Sequence, residues 1–168
     1  MRVAVSAASR HHSTEEIAAR LGSVLRSALP PGSTVDVLPP ADLRDIAAYD
    51  VVVLGSAVYM GRWLESALDA AARIVAAPAR SVWLFSSGPI GLPAKPLGDP
   101  AGVGALLAST RARGHAVFAG RLDRQQLSLS EKALMTAIRV TPGDFRDWAA
   151  IDGWGRQIAV DAAAAAKV

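Results

Sequence analysis

Val3-Ala4-Val5-Ser6-Ala7, then Ala8–His12, then Ser13-Thr14-Glu15-Glu16-Ile17, is the stretch on which the fold turns. Five residues with no charge among them read as a strand buried on both faces, which is the mark of a parallel sheet. A polar loop follows. Ser13 and Glu16 then stand three apart, as in a capping box, and Ile17, Leu21, Val24 and Leu25 recur at helical spacing. Pro30-Pro31-Gly32 ends that helix. A buried strand leading through a loop into a helix is the first half of a βαβ unit.

The same alternation continues. Thr34–Leu38, Val51–Gly55, Ser81–Ser86 and Ala116–Gly120 read as four more strands. Leu64, Leu68, Ala71, Ala72 and Val75 mark a helix stopped near Pro78, and Gly104–Arg113 marks another. Strands and helices taking turns predict the α/β class, with a parallel sheet and helices on both faces. After the fifth strand, 121–143 is too long for a tight connection and is an insertion with its own predicted helix, Ser130–Arg139. A last helix begins near Asp147, with Trp148, Ile151, Trp154 and Ile158 on a core-facing stripe, and 161–168 is an alanine-rich tail expected to fray. With 168 residues, no internal repeat and no linker, 1–168 reads as one domain.

Composition narrows the function. Hydrophobic residues make up 51% of the chain, which excludes overall disorder, and no apolar run reaches the roughly 18–20 residues of a membrane span. The absence of cysteine excludes disulfides, thiolate metal sites and Cys nucleophiles. Met1–Ser6 is too short and strand-like for a signal peptide, so the expected location is the cytoplasm. Net charge is +3, and Arg111–Arg139 alone carries more than that through Arg111, Arg113, Arg121, Arg124, Lys132 and Arg139. Such a patch suits an anionic membrane or an acidic ligand. Nucleic acid is not expected, because no aromatic interleaving or binding motif accompanies the arginines. No G-x-S-x-G elbow and no G-x-G-x-x-G fingerprint is present, which argues against a hydrolase and a dinucleotide-dependent dehydrogenase.

In open α/β sheets ligands sit beyond the carboxyl ends of the strands, where strand order reverses. That rule selects Ala8–Thr14, Ser56–Trp63 and Ser87–Gly91. Hydroxyls and Arg10 ahead of a helix N-terminus suit a phosphate, although Ser13 and Thr14 also serve as simple helix caps. Tyr59 or Trp63, beside the Gly61 turn, either stacks on a flat ligand or packs on the protein. The third loop offers backbone N–H groups and small side chains. Together the loops favour a planar, phosphorylated ligand. His11 and His12 lack a third neighbour for a metal, and no metal site is expected.

These residues resemble the flavodoxin-like FMN-binding proteins, and within them the subgroup that includes menaquinone-dependent protoporphyrinogen oxidase. The resemblance covers essentially the whole chain and rests on Val3–Thr14, Val51–Trp63, Phe85–Gly91, Phe118–Asp123, Asp147-Trp148 and the long insertion. It implies a three-layer sandwich around a five-stranded sheet of order 2-1-3-4-5. It also implies FMN held by Ser9, Arg10, His11, His12, Ser13 and Thr14 at the phosphate. Ser56, Val58, Tyr59, Met60 and Gly61 would surround the ring, and Ser87, Gly88 and Gly91 would meet its polar edge. The family usually has glycine where this chain has His12. If that position has φ > 0, His12 is strained there; protonated, either histidine can instead add charge for the phosphate.

The implied activity is FMN-dependent oxidation, in its most concrete form oxidation of protoporphyrinogen with a quinone as acceptor. A non-catalytic electron carrier and a flavin-free binding module on the same fold are the alternatives. The insertion, with Leu127, Leu129, Leu134, Met135 and Ile138 among Arg124, Lys132 and Arg139, rests on a membrane's inner face, clasps a tetrapyrrole, or packs on the protein itself. No side chain is dictated as acid or base; Arg121 and Asp123, at the insertion's root, are the nearest candidates or simply a surface ion pair.

Overall fold

The computed structural model describes residues 1–88, 99–123, 125, 129, 132 and 142–166. The predicted alternation is present. In chain order the elements are β1 (Arg2–Ala8), α1 (Ser13–Ala28), β2 (Thr34–Leu38), β3 (Val51–Tyr59), β4 (Arg62–Trp63), α2 (Glu65–Ala76), β5 (Ser81–Ser87), α3 (Val103–Thr110), β6 (Gly114–Phe118), β7 (Arg121–Leu122), β8 (Gly143–Asp144) and α4 (Trp148–Ala165). Short 3-10 turns at Pro40–Asp42 and Ile46–Ala48 lead into β3. The parallel sheet has the order β2-β1-β3-β5-β6, the expected 2-1-3-4-5 topology.

Alternate residues of each strand serve opposite faces, as the period of two requires. Val3, Val5, Val51, Val53, Trp83 and Phe85 face one layer, where they pack with Ile17, Leu21 and Leu25 of α1 and Ile151 and Ile158 of α4. Ala4, Val52, Leu54, Val82 and Leu84 face the other, against Leu43, Ile46, Ile74 of α2 and Val103 of α3. The tryptophan stripe of the last helix is on the core side, with Trp154 making edge contacts to Trp83, Phe85 and Phe118 at centroid distances of 5.6–6.1 Å. Arg20 on α1 grips Asp152 on α4 through two 2.6 Å hydrogen bonds.

Four boundaries differ from the sequence reading. The third strand runs four residues beyond Gly55 to Tyr59, and turns back on itself: Val58 pairs with Trp63 and Tyr59 with Arg62 in an antiparallel hairpin. Met60 (φ 51) and Gly61 (φ 77) form its two-residue turn, and two positive φ values match the right-handed twist of the flanking strands. The sixth strand ends at Phe118 rather than Gly120, and α3 stops at Thr110 because Arg111 enters the left-handed region. At the C-terminal end α4 extends to Ala165, with Ala159 and Ala162 buried. The helix expected at Ser130–Arg139 lies mostly outside the described residues, but the insertion's root is defined by β7 pairing antiparallel with β8.

Gly55 is a glycine for a packing reason. A Cβ there would lie inside the ring of Phe85, on the neighbouring strand. Overpacking of a tight core costs about 1–3 kcal/mol. Gly55→Ala is accordingly expected to lower the unfolding free energy by that amount, read as a lower urea midpoint at an unchanged m-value, and Gly55→Ala with Phe85→Leu is expected to recover part of the loss.

Candidate functional site

The carboxyl ends of β1, β3 and β5 lie side by side, with Ala8 opposite Ser56 and Ala57 opposite Ser87. From β1 the chain moves outward to β2 and later returns on the other side as β3, so a crevice opens between their ends. The first two sequence-selected loops converge there, together with Ser87 and Gly88 at the start of the third, whose remaining residues lie outside the described ones. Arg10 of the first stacks its guanidinium 4.0 Å over the ring of Tyr59 in the second. The indole N–H of Trp63, in the second, donates to Ser86 Oγ at the end of β5 at 2.8 Å.

The first loop differs from a capping box. The helix begins at Ser13 itself, and the residue before it, His12, adopts the left-handed conformation with φ 58 and ψ −9. The Ser13 hydroxyl accepts the backbone N–H of Arg121 at 3.0 Å instead of closing its own helix. Ser9 takes over part of that role, its Oγ accepting the Thr14 N–H at 3.4 Å. Glu16 does not reach back; its carboxylate meets Arg146 at 2.7 Å and Arg121 at 3.0 Å. Glu15 pairs with His12 Nδ1 at 2.8 Å. Glu16 is thus matched by two arginines and Glu15 is hydrogen-bonded to His12, and the N–H groups and dipole of α1 remain an electropositive end.

Arg146 was not singled out in the sequence, yet it organises this corner. Its side chain is only 3% exposed, it bridges Glu16 on α1 and Asp144 on β8, and it stacks on Trp148 at 4.4 Å. Hydrogen bonds from Arg146 hold the Asp144 carboxyl below its ordinary value. Arg121 and Asp123 do not form the surface ion pair considered from the sequence: Arg121 goes to Glu16, and Asp123 accepts the Gln125 N–H at 2.9 Å.

In the second loop, Ser56 is fully buried; its hydroxyl accepts the Leu64 N–H at 2.9 Å and donates to the Ala57 carbonyl at 2.8 Å, so it braces the hairpin. Val58 is half-buried. Tyr59 (38% exposed) and Met60 (82% exposed) stand at the hairpin tip, and nothing lies within 4 Å of the space a Gly61 side chain would fill. In the third loop Ser87 is buried, and Gly88 has φ 101 with its N–H bonded to Phe118 O at 2.9 Å. Gly91 lies outside the described residues. Among the described residues no group of acidic or histidine side chains is arranged to hold a metal.

One alignment escaped the sequence reading. Ser86 Oγ lies 2.8 Å from His115 Nε2, and His115 Nδ1 lies 2.9 Å from Asp99. The three residues come from β5, β6 and the segment between them, with no spacing signal to join them. This order of groups is that of a hydrolytic triad, but Ser86 is completely buried beneath the Trp63 indole, so no carbonyl can reach it.

Fold and crevice together define an open α/β protein whose ligand loops gather at the strand-order switch. The family model of the flavodoxin domain matches residues 4–147, and the chain belongs to that family. Among solved structures, a flavodoxin from the domain Archaea superposes with a TM-score of 0.64 at 13% identity, covering 96% of this chain and 99% of that one. A flavodoxin of Streptococcus pneumoniae TIGR4 gives 0.61 at 18% identity with complete coverage of both chains. Rubredoxin oxygen:oxidoreductase from Desulfovibrio gigas gives 0.62 at 15% identity, covering 97% of this chain and 36% of its own. No curated protein matches the chain. At these identities the structural likenesses establish the fold.

The Arg146 corner predicts an acid-sensitive stability. Because Asp144 ionises below the ordinary carboxylate value when folded, its contribution is complete above that value and is lost as pH falls through the lowered one. Asp144→Asn is expected to flatten that acid limb in denaturation measured from pH 5 to pH 2. Arg146→Met, which removes charge-assisted hydrogen bonds, is expected to cost about 1–3 kcal/mol at pH 7.

Proposed function

We propose that the crevice binds FMN and that the chain acts as an FMN-dependent oxidoreductase. The observation that carries this reading is the meeting of the first two loops at the carboxyl ends of β1 and β3, seen directly in the Arg10–Tyr59 stack. The groups present suit the ligand. Ser9, Arg10, His11, His12, Ser13 and Thr14 lie at or beside the α1 N-terminus, where Glu16 is matched by Arg121 and Arg146. His12 holds a left-handed conformation, the kind of backbone that glycine adopts freely, so the loop has the course a glycine there would allow. Tyr59, Met60 and Gly61 offer an exposed, partly aromatic surface for a ring, and Ser87 and Gly88 border the same crevice.

When bound, FMN supplies one- and two-electron redox chemistry. The protein's part is to neutralise the phosphate, to sandwich the ring and to decide what reaches it. The basic balance of the chain and the insertion rooted on β7 and β8 support a finer reading, in which a carboxylated tetrapyrrole such as protoporphyrinogen is the reductant and a quinone at a membrane surface the oxidant. No helix among the described residues is long and apolar enough to cross a membrane, so contact with one would be peripheral. A plain electron-carrier role, exchanging electrons with a redox partner protein, is distinguished by failure to oxidise porphyrinogen with or without a menaquinone analogue.

The first test is the visible spectrum of the protein after equilibration with FMN and removal of excess. A bound flavin spectrum, with FMN released on denaturation, is expected; a colourless protein at high FMN overturns the proposal and leaves a flavin-free module. Arg10→Ala is expected to weaken FMN binding by about 10- to 100-fold, the range of a lost charge-assisted hydrogen bond, and to change the affinity for riboflavin, which lacks the phosphate, by much less. His12→Gly removes the left-handed strain and is expected to raise stability by up to about 1 kcal/mol, while freeing Glu15 and weakening FMN binding.

A further inference from the structure

Helices α2 and α3 lie side by side over the second hydrophobic layer, and the surface they turn outward is apolar along its middle. On α2, Leu68 (41% exposed) and Val75 (48% exposed) are large hydrophobic side chains left in water. With the exposed Ala72 and Ala76 they fall at i, i+4, i+7 and i+8, one stripe along the helix. Arg73, on the opposite flank of α2, reaches the carbonyls of Pro40 and Leu43, so the stripe is on the flank toward α3. α3 carries no ionisable side chain. Its Gly104, Ala105, Ala108 and Ser109 are exposed, and Leu106 and Leu107 are half-buried against the layer below. A contiguous apolar surface of this kind marks a place of contact.

The charges are sorted to the two ends of the face. Glu65 and Asp69 occupy the first half of α2 and Asp99 precedes α3, all exposed. Even with Arg62 of β4 counted, that end is acidic. Beyond the last turns of the two helices stand Arg80, Arg111 and Arg113, also exposed. Asp50, ahead of β3 at the same end of the sheet, is turned to the Arg2 N–H at 2.8 Å. Such charges suit the dipoles of their helices, but the dipoles give no reason for the uncharged stretch between them.

We propose that this face is where the chain meets a second copy of itself, as an antiparallel two-fold pair. A two-fold contact needs a surface that complements itself. With the axis running across the helices, α2 packs on α2, α3 packs on α3, and the apolar stripe falls on its own copy. Glu65 and Asp69 of each copy then face Arg80 of the other, and Asp99 faces Arg111 and Arg113. With the axis along the helices, like charges meet instead. The charge pattern therefore selects the antiparallel pair. Crossover helices run against the strands they connect, so this pair points the carboxyl ends of the two sheets in opposite directions and leaves both crevices open. The contact does not depend on what the crevice binds.

The size of the face sets its strength. The 12 residues of α2 span about 18 Å, and two helices side by side are about 20 Å wide. That is short of the roughly 800 Å² per partner of a standard interface, so the dimer is expected to be weak and reversible.

The experiment is sedimentation velocity of the protein over a dilution series from about 500 to about 5 µM. Mass is expected to fall from dimer toward monomer on dilution, and added salt to favour the monomer. Val75→Arg sets a charge in the apolar centre and is expected to weaken association by about tenfold or more. Two charge-reversed proteins then test the arrangement: Glu65→Lys with Asp69→Lys, and Arg80→Glu with Arg113→Glu. Each alone sets like charges together twice and is expected to stay monomeric, whereas an equimolar mixture restores both contacts and is expected to dimerise. All these positions are exposed, so unchanged far-UV circular dichroism separates a lost contact from a lost fold. A monomer at every concentration overturns the proposal and leaves the face to a different protein. A dimer indifferent to Val75→Arg, or reversed proteins that do not associate when mixed, overturns it as well.

Discussion

Parallel pairing of strands buried on both faces is the constraint from which the rest of the molecule follows. β1, β3 and β5 can lie side by side only if each connection crosses back over the sheet, and each crossing must cover a hydrophobic face. The carboxyl ends of the central strands are thereby forced to one edge. No residue of the three loops has to recognise another for this to happen; valines and alanines deep in the sheet bring Arg10 next to Tyr59.

Electrostatics at that edge are arranged by residues that never enter it. The first turn of α1 carries two glutamates, favourable for the helix and unfavourable for an anionic ligand. The conflict is relieved by pairing Glu15 with the neighbouring His12 and Glu16 with Arg121 and Arg146, which come from the two ends of the insertion's root. One carboxylate thereby ties the N-terminal end of α1 to the β7–β8 pair. Stability of the insertion's root and charge at the crevice are coupled through Glu16.

Polarity inside the second layer follows the same logic. Ser56 and Ser86 look alike in the sequence, each a serine at the end of a buried strand. Ser56 braces the hairpin through a local backbone carbonyl and the Leu64 N–H, and is inert to pH. Ser86 is placed between an indole and an imidazole that come from separate strands.

Much was legible in the residue pattern alone: the α/β class, the strand order through family resemblance, the three loops and the core stripe of Ile151 and Ile158. These rest on local periodicity and on turn chemistry, which neighbours in sequence determine. The length of β3 was not legible, because Ala57-Val58-Tyr59 is drawn into a hairpin by pairing with Trp63 rather than by its own pattern. Nor was the role of Ser13, whose capping signal is overridden when its hydroxyl takes the N–H of Arg121, 108 residues away. Sequence by itself determined which segments would be strands and helices, since burial and backbone preference act over a few residues. Only the tertiary structure decided which charges and hydroxyls meet, because Arg146 with Glu16 and Ser86 with His115 and Asp99 are joined by packing across separate elements, which no spacing along the chain encodes.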